Sequence, residues 1–463
     1  MVREPRNPER RPVIAFVGGG ASATLTAIAL LRTTTWLRLG YRIVLLDEHG
    51  RHARGVAYST RDDQHLLNSP AAAMSALPDQ PGHLVAWARA AGHACAHDSF
   101  LPRRVYGDYL AQTLAETAAW AAPHAEVHLR TARVERAEDG DQGVVLILSD
   151  GTRLPVAAAV VATGNAPASP PPGCAGTAGV VDDPWHPHGD PARLTEGRTV
   201  LAIGTGLSTV DVALSVTAAH PGTVVHATSA RGRLPHPHRL PLIAPPGLVD
   251  LSGPLPLREL VRRVRAAIDV HPGDWRHVVD SLRPSVPLLW QGLSPAEQRV
   301  FLRRFSRYWE PARHRMAPEV ARRLEELRAR GRLRLHTGRV ASVEPTGAGL
   351  RAVLSDGTSI QADTIVNCTG SAPGSDPFVQ ALLGDGLARR NHLGLGVDTC
   401  PRGALVAPSG RVSRHLFALG PLRRGQLYET TAVPEIRAQA ERLAQRIADT
   451  VLRGRRGEPT VVP

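Results

Sequence analysis

The chain has no lysine: all 55 of its basic residues are arginine. A Schiff-base lysine, a pyridoxal-phosphate lysine and a phosphate-loop lysine are thereby excluded. The same absence marks a compositional preference for arginine. The net charge of +13 therefore reads as diffuse surface charge plus anion sites, not as a nucleic-acid footprint. Cysteine is scarce. Cys95, Cys174, Cys368 and Cys400 make no C-x-x-C pair and no metal-ligand spacing, which argues against a disulfide-exchanging centre and against a metal. They fit a reducing, cytoplasmic compartment. Long apolar runs are missing too. The one candidate, Val13 to Leu31 after an Arg-rich start, is interrupted by Gly18-Gly-Gly20 and reads as strand–turn–helix, not as a leader or anchor. Neither a nucleic-acid partner nor a membrane is expected.

What is present is an α/β alternation in a chain of 463 residues, long enough for two or three domains. Val13 to Val17 is a short apolar run of the kind a buried parallel strand shows. Ala21 to Leu31 reads as a helix, and Arg42 to Leu46 as a second buried strand ending in Asp47-Glu48. Val144 to Leu148 with Asp150-Gly151 predicts a hairpin, Val156 to Ala162 a strand, and Pro-rich Ala166 to Pro172 a linker. The order then repeats. Thr199 to Ile203 is a strand, Gly204 to Thr209 a glycine turn, Val210 to Ala218 a helix and Thr223 to Ala227 a strand.

Arg233 to Pro256, rich in Pro and His, reads as a loop over a site. Residues 257–330 are helical and Arg-rich, but Val261, Val264, Ile268, Val300, Leu302 and Phe305 interleave with the arginines, as in helices packed on a core. Ser294-Pro295-Ala-Glu297 is a capping box with proline at the first helical position, and Gly331 ends a helix begun near Pro318. Val353-Leu-Ser-Asp-Gly357 echoes Leu146-Ile-Leu-Ser-Asp-Gly151, and Cys368-Thr369-Gly370 echoes Ala162-Thr163-Gly164. The echo suggests two nucleotide-binding units, the second inserted into the first. A last helix from Pro434 carries Ile436, Ala440, Leu443, Ile447 and Val451 at helical spacing, and the final ten residues read as frayed.

Gly18, Gly19, Gly20, Ala21, Ser22 and Ala23 spell G-x-G-x-x-A at the first strand–helix junction. In such a motif Gly18 permits the tight turn, Gly20 lets backbone approach a pyrophosphate, and Ala23 allows close helix packing. Free N–H groups of the first helical turn then face the phosphates. Asp47, or Glu48 beside it, can accept both ribose hydroxyls. The 29 positions from Gly18 to Asp47 are a long gap, which a longer first helix absorbs. Gly204, Gly206, Ser208 and Thr209 repeat the device ahead of Asp211. Here the following strand runs into Ser229 and Arg231, not into an acid, and these two can hold a 2′-phosphate. His236, His238, Arg239, Arg313, His314 and Arg315 form the one cluster that looks like a substrate site, with Arg313 and Arg315 able to receive a carboxylate.

These motifs resemble the flavin-containing oxidoreductases with two dinucleotide-binding domains, and within them the bacterial FAD-NAD(P)-binding proteins that include amino-acid N-monooxygenases. The likeness also rests on Gly55-Val-Ala-Tyr58, His65-Leu-Leu-Asn68-Ser-Pro70, Asp274-Trp-Arg276, Trp309, Gly420-Pro-Leu-Arg-Arg-Gly425 and Glu429-Thr-Thr-Ala-Val-Pro-Glu435, which span nearly the whole chain. It implies an α/β fold of two Rossmann-like units. The FAD-binding unit would occupy 13–190 and 333–463 around an NAD(P)-binding unit at 191–256 and a helical substrate or cap segment at 257–332, after a flexible tail at 1–12. It implies FAD on the Gly18 motif, Asn68 along the flavin, and Gly164, Gly370, Gly420 and Thr430 at the cofactors. NADPH, or NADH in its place, would lie on the Gly204 motif. Residues Glu429 to Pro434 would set a helix N-terminus against the flavin pyrimidine edge, where reduced flavin carries negative charge.

The implied activity is N-oxygenation of a small, acidic amine with O2, through a flavin C4a-hydroperoxide. The alternatives are an NAD(P)H-dependent reductase of an organic acceptor, or a flavin-carrying binding protein for an anionic partner.

Overall fold

A computed structural model describes residues 11–166, 168–185, 198–241, 247–271, 273–372 and 374–453. Residues 1–10 of the expected 1–12 tail, the boundary at 190–191, part of the 233–256 loop and the final ten residues lie outside them, as does the side chain of Val451. The chain opens with β1 (Val13–Val17), α1 (Ala21–Thr35) and β2 (Tyr41–Asp47). Next come α2 (Gly55–Tyr58), α3 (His83–Ala90), α4 (Arg103–Ala121) and β3 (Ala125–Thr131). A meander of β4 (Val134–Gly140), β5 (Gly143–Leu148) and β6 (Arg153–Val156) leads into β7 (Ala158–Val161). β1 lies between β2 and β7, parallel to both, with Ile14 opposite Ile43 and Ala158. It is apolar throughout because both faces are covered. Ile14 and Phe16 pack with α1 and α4, while Ala15 and Val17 face the β4–β6 meander. The first helix runs four residues past Leu31, which takes up the long gap to Asp47.

The second unit holds β8 (Val180–Val181), β9 (Thr199–Ile203), α5 (Leu207–Ala219) and β10 (Val224–Ser229). Helices α6 (Leu257–Val270), α7 (Trp275–Leu282), α8 (Val286–Gly292), α9 (Pro295–Arg304), α10 (Ser306–Arg313) and α11 (Pro318–Ala329) follow. It closes with β11 (Leu333–Thr337), a second meander of β12 (Val340–Thr346), β13 (Gly349–Leu354) and β14 (Ser359–Ala362), and β15 (Thr364–Asn367). The strand order β11-β10-β9-β15 repeats β3-β2-β1-β7 of the first sheet. The chain then returns through α12 (Pro377–Gly384), β16 (Ala404–Val406), β17 (Val412–Ala418), α13 (Arg424–Leu427) and α14 (Val433–Ile447). β17 pairs with β7, and α14 joins the core on α1.

One boundary is corrected. Residues 333–367 were expected in the first unit, but β11 pairs with β10 and β15 with β9, so they complete the second sheet. The hairpin echo is the second unit's own copy of the meander. The helical segment packs as its interleaved apolar residues suggest: Leu257, Val286, Trp290 and Leu293 form a cluster with Tyr428 of the returning chain. Ser294 makes the full capping box, with Pro295 starting α9. Among the described residues no helix is long and apolar enough to cross a membrane.

Candidate functional site

The two glycine loops are built alike. Gly18 has φ +100°, and a Cβ on it would lie 2.4 Å from the Ala162 carbonyl oxygen. Gly204 has φ +121°, and its Cβ would lie 2.2 Å from the Cys368 carbonyl oxygen. Each amide donates to the end of the next strand, Gly18 N to Leu46 O at 2.8 Å and Gly204 N to Thr228 O at 2.7 Å. Only glycine takes that backbone with a neighbouring strand so close. The helices that follow have Gly20 and Gly206 at their N-cap positions, with no side-chain cap and no acid in the first turn. Their free N–H groups and positive dipole ends are thus left to a ligand, as a phosphate site requires. One detail differs from expectation: the bare Gly20 faces the Cα of Gly55, 3.3 Å from where its Cβ would be.

Around the first loop, Asp47 accepts from Gly19 N at 3.2 Å, His49 N at 3.0 Å and Arg51 N at 2.9 Å. Glu48 points outward, 3.9 Å from Arg133. Of the two acids, Asp47 is the one turned onto the glycine loop, and its carboxylate keeps lone pairs to spare. Gly420 closes the other side. A Cβ there would lie 3.0 Å from Ser22 Oγ, and its N–H donates to Gln439 of α14 at 3.1 Å. Several buried polar atoms have no partner in the protein: Thr163 Oγ1 beside Gly164, Thr430 Oγ1 just before α14, Gln439 Nε2 and His238 Nδ1. Buried polar atoms are normally satisfied, so these residues fit a polar cofactor. At the second loop Ser208 and Thr209 enter α5, and Thr205 Oγ1 lies 2.8 Å from Ser229 Oγ. Arg231 is exposed, 5.6 Å from the Tyr308 ring, and Gly370 has φ +106° in open space.

The units meet through polar ties between residues far apart in the chain, which no motif announces. Arg103 pairs with Asp211 of α5 at 2.7 Å, and buried His65 bridges Thr60 Oγ1 at 2.8 Å and Ser215 Oγ at 2.7 Å. His238 Nε2 lies 3.0 Å from the carbonyl oxygen of Asn68, which brings a substrate candidate against a flavin candidate. Burial first, then the Arg315 charge, lower the His238 pKa to about 4. His236, packed on Trp275, is also shifted down, chiefly by burial. Both rings are thus poorer bases than a free imidazole.

The carboxylate site is corrected as well. Arg313 and Arg315 are buried, and their partners come from distant segments: Arg313 pairs with Glu435 at 3.1 Å and sits 3.8 Å from Glu429, while Arg315 pairs with Asp280. Both arginines tie the helical segment together and to α14, and they offer no support for an acidic substrate. Arg239 is exposed, 3.9 Å from Asp274.

Residues 15–166 match the FAD-NAD(P)-binding family model. A comparison with curated protein sequences finds no match. Solved structures match along nearly their whole length. Ornithine hydroxylase from Pseudomonas aeruginosa is 15% identical with a TM-score of 0.62, covering 94% of this chain and 98% of that one. L-lysine 6-monooxygenase from Pseudomonas syringae is 14% identical with a TM-score of 0.62, covering 96% and 100%. The ornithine N-hydroxylase of Kutzneria sp. 744, solved with reduced FAD, NADP+ and L-ornithine, is 16% identical with a TM-score of 0.58, covering 97% and 100%. Residues 15–166 thus carry the FAD-NAD(P)-binding family pattern, and the chain shares its fold along nearly its whole length with the solved ornithine and lysine hydroxylases.

Proposed function

We propose that the chain is an FAD- and NADPH-dependent monooxygenase that oxygenates the nitrogen of a small amine or amino acid. One observation carries the reading. Two matched glycine loops, each feeding an uncapped helix in sheets of like strand order, belong to units joined where His238 meets Asn68. Gly18 to Ala23 and the α1 N-terminus hold the FAD pyrophosphate, Asp47 its ribose, and Asn68, Gly164, Gly420 and Thr430 the flavin end. Gly204, Gly206, Ser208, Thr209 and Gly370 receive the nicotinamide dinucleotide, with Ser229 and Arg231 on its 2′-phosphate.

When bound, FAD supplies electron transfer from NADPH and the activation of O2. The chain's own work is to bind, to orient and to keep water out. His238 lines the meeting point as a neutral ring that can hydrogen-bond an amine. The amine itself is argued from likeness, because the ornithine and lysine enzymes share this fold over nearly the whole chain. The test is to incubate FAD-loaded protein with NADPH, O2 and a panel of amines and amino acids, following NADPH oxidation and products by mass spectrometry. An amine that stimulates NADPH oxidation and gains one oxygen atom is the expected result. If a quinone, thiol or ketone stimulates oxidation while no amine does, the N-oxygenase reading falls.

A further inference from the structure

Tyr428 stands out among residues that carry a side chain. Its φ of +62° and ψ of −59° lie in a region that such residues rarely adopt. Glu429 N donates to Leu427 O at 2.8 Å, closing a three-residue γ-turn of the strained hand around it. Strain of this kind persists only where the surroundings impose it. Here the helical segment does so. The Tyr428 hydroxyl donates to Glu310 Oε1 at 2.7 Å, and its ring lies 4.8 Å from that of Trp290 and 5.2 Å from that of Phe301. Trp290 Nε1 donates to Gly425 O at 2.9 Å, and Arg424 pairs with Glu310 at 2.7 Å. Burial opposes the Glu310 charge, but His314, Arg424 and the Tyr428 hydroxyl outweigh it and hold the carboxyl pKa at about 2.

What lies downstream gives the turn its meaning. Glu429 is buried and accepts from Trp309 Nε1 at 2.8 Å. Next comes Thr430, buried, with a hydroxyl that has no partner in the protein, and then α14 starts at Val433 behind Ala432, which offers no side-chain cap. Relaxing φ at Tyr428 to a negative value would redirect the chain at this point. We propose that Tyr428 is a positioning residue: the helical segment clamps it in a strained turn, and the turn aims Thr430 and the Val433 amide at the positive end of α14 toward the flavin. The proposal rests on the FAD-binding reading above. It gives helices α8 to α10 a part in tuning the cofactor, because aligned amides stabilise the negative charge of reduced flavin.

The experiment compares FAD-loaded protein with Tyr428→Phe, which removes only the hydroxyl, and Tyr428→Gly, which takes positive φ freely but drops the ring. Both variants should keep one FAD per chain, with a more negative flavin midpoint potential and faster amide exchange at residues 429–433. The limiting rate of anaerobic flavin reduction should fall about tenfold while the Kd for NADPH stays within about twofold, the split expected of a misaimed group. Unchanged potential, rate and exchange in both variants overturn the proposal. Loss of FAD from either variant with the fold intact overturns it too, since Tyr428 would then retain the cofactor and not aim at it. Failure of the unsubstituted protein to take up FAD is a separate result, which removes the function proposed above and this inference with it.

Discussion

Arg313 Nη2 lies 3.1 Å from Glu435 Oε1, and both side chains are at least nine-tenths buried. Glu435 stands in the first turn of α14, so the pair fixes a helix N-terminus to the helical segment. Burial pushes the Glu435 carboxyl up, but the Arg283 hydrogen bond and the Arg283 and Arg313 charges hold it below the usual range. Arg313→Ala should therefore cost about 3–5 kcal/mol of stability, because it strips a cation from two buried carboxylates. Urea unfolding of the cofactor-free protein measures this. A loss below about 1 kcal/mol would mean that the pair has little structural weight.

Arg231 gives the cofactor prediction. It is exposed beside Tyr308, so a contact with a 2′-phosphate is partly screened by water and salt. Arg231→Ala should raise KM for NADPH about tenfold and leave KM for NADH within about twofold, a difference of about 1.4 kcal/mol. Steady-state kinetics with both nucleotides decide it. Equal losses would assign Arg231 a structural role.

Local signals in this chain are legible in its sequence, and distant ones are not. The glycine loops, the flanking strands and the Ser294 capping box are properties of consecutive residues, and each forms where expected. The echo at Val353 to Gly357 shows equally well that a second meander exists, but not which sheet it serves. That depends on β11 finding β10 and β15 finding β9. The partners of Arg313 and Arg315 were hidden for the same reason, since Glu435 and Asp280 lie on other helices. Tyr428 was invisible for a different one. Positive φ is announced by glycine, and no residue pattern announces a tyrosine forced into it.

His238 supplies a pH dependence. With a folded-state pKa of about 4 against an ordinary 6.5, it binds its proton more readily when the chain is unfolded. Its contribution to stability is thus complete above pH 6.5 and is lost as the pH falls toward 4. Over the drop from pH 7 to 4.5 the loss amounts to about 2 kcal/mol. His238→Gln should lose that much less than the unsubstituted protein over the same interval, measured by urea unfolding at both pH values. Other histidines shifted downward, such as His226, titrate in both proteins and cancel. Parallel pH profiles would show that His238 is not held neutral.

The insertion also dictates an order of maturation. The chain leaves the first sheet at β7 and rejoins it only with β16 and β17, after the whole second sheet has been made. A nascent N-terminal unit therefore has an unpaired β7 edge and an α1 without α14 to cover it. The inserted unit is contiguous from β8 to β15 and needs no later strand to complete its sheet. The part synthesised second is thus able to close first, while the N-terminal unit keeps an exposed β7 edge until β17 emerges and an uncovered α1 until α14 follows.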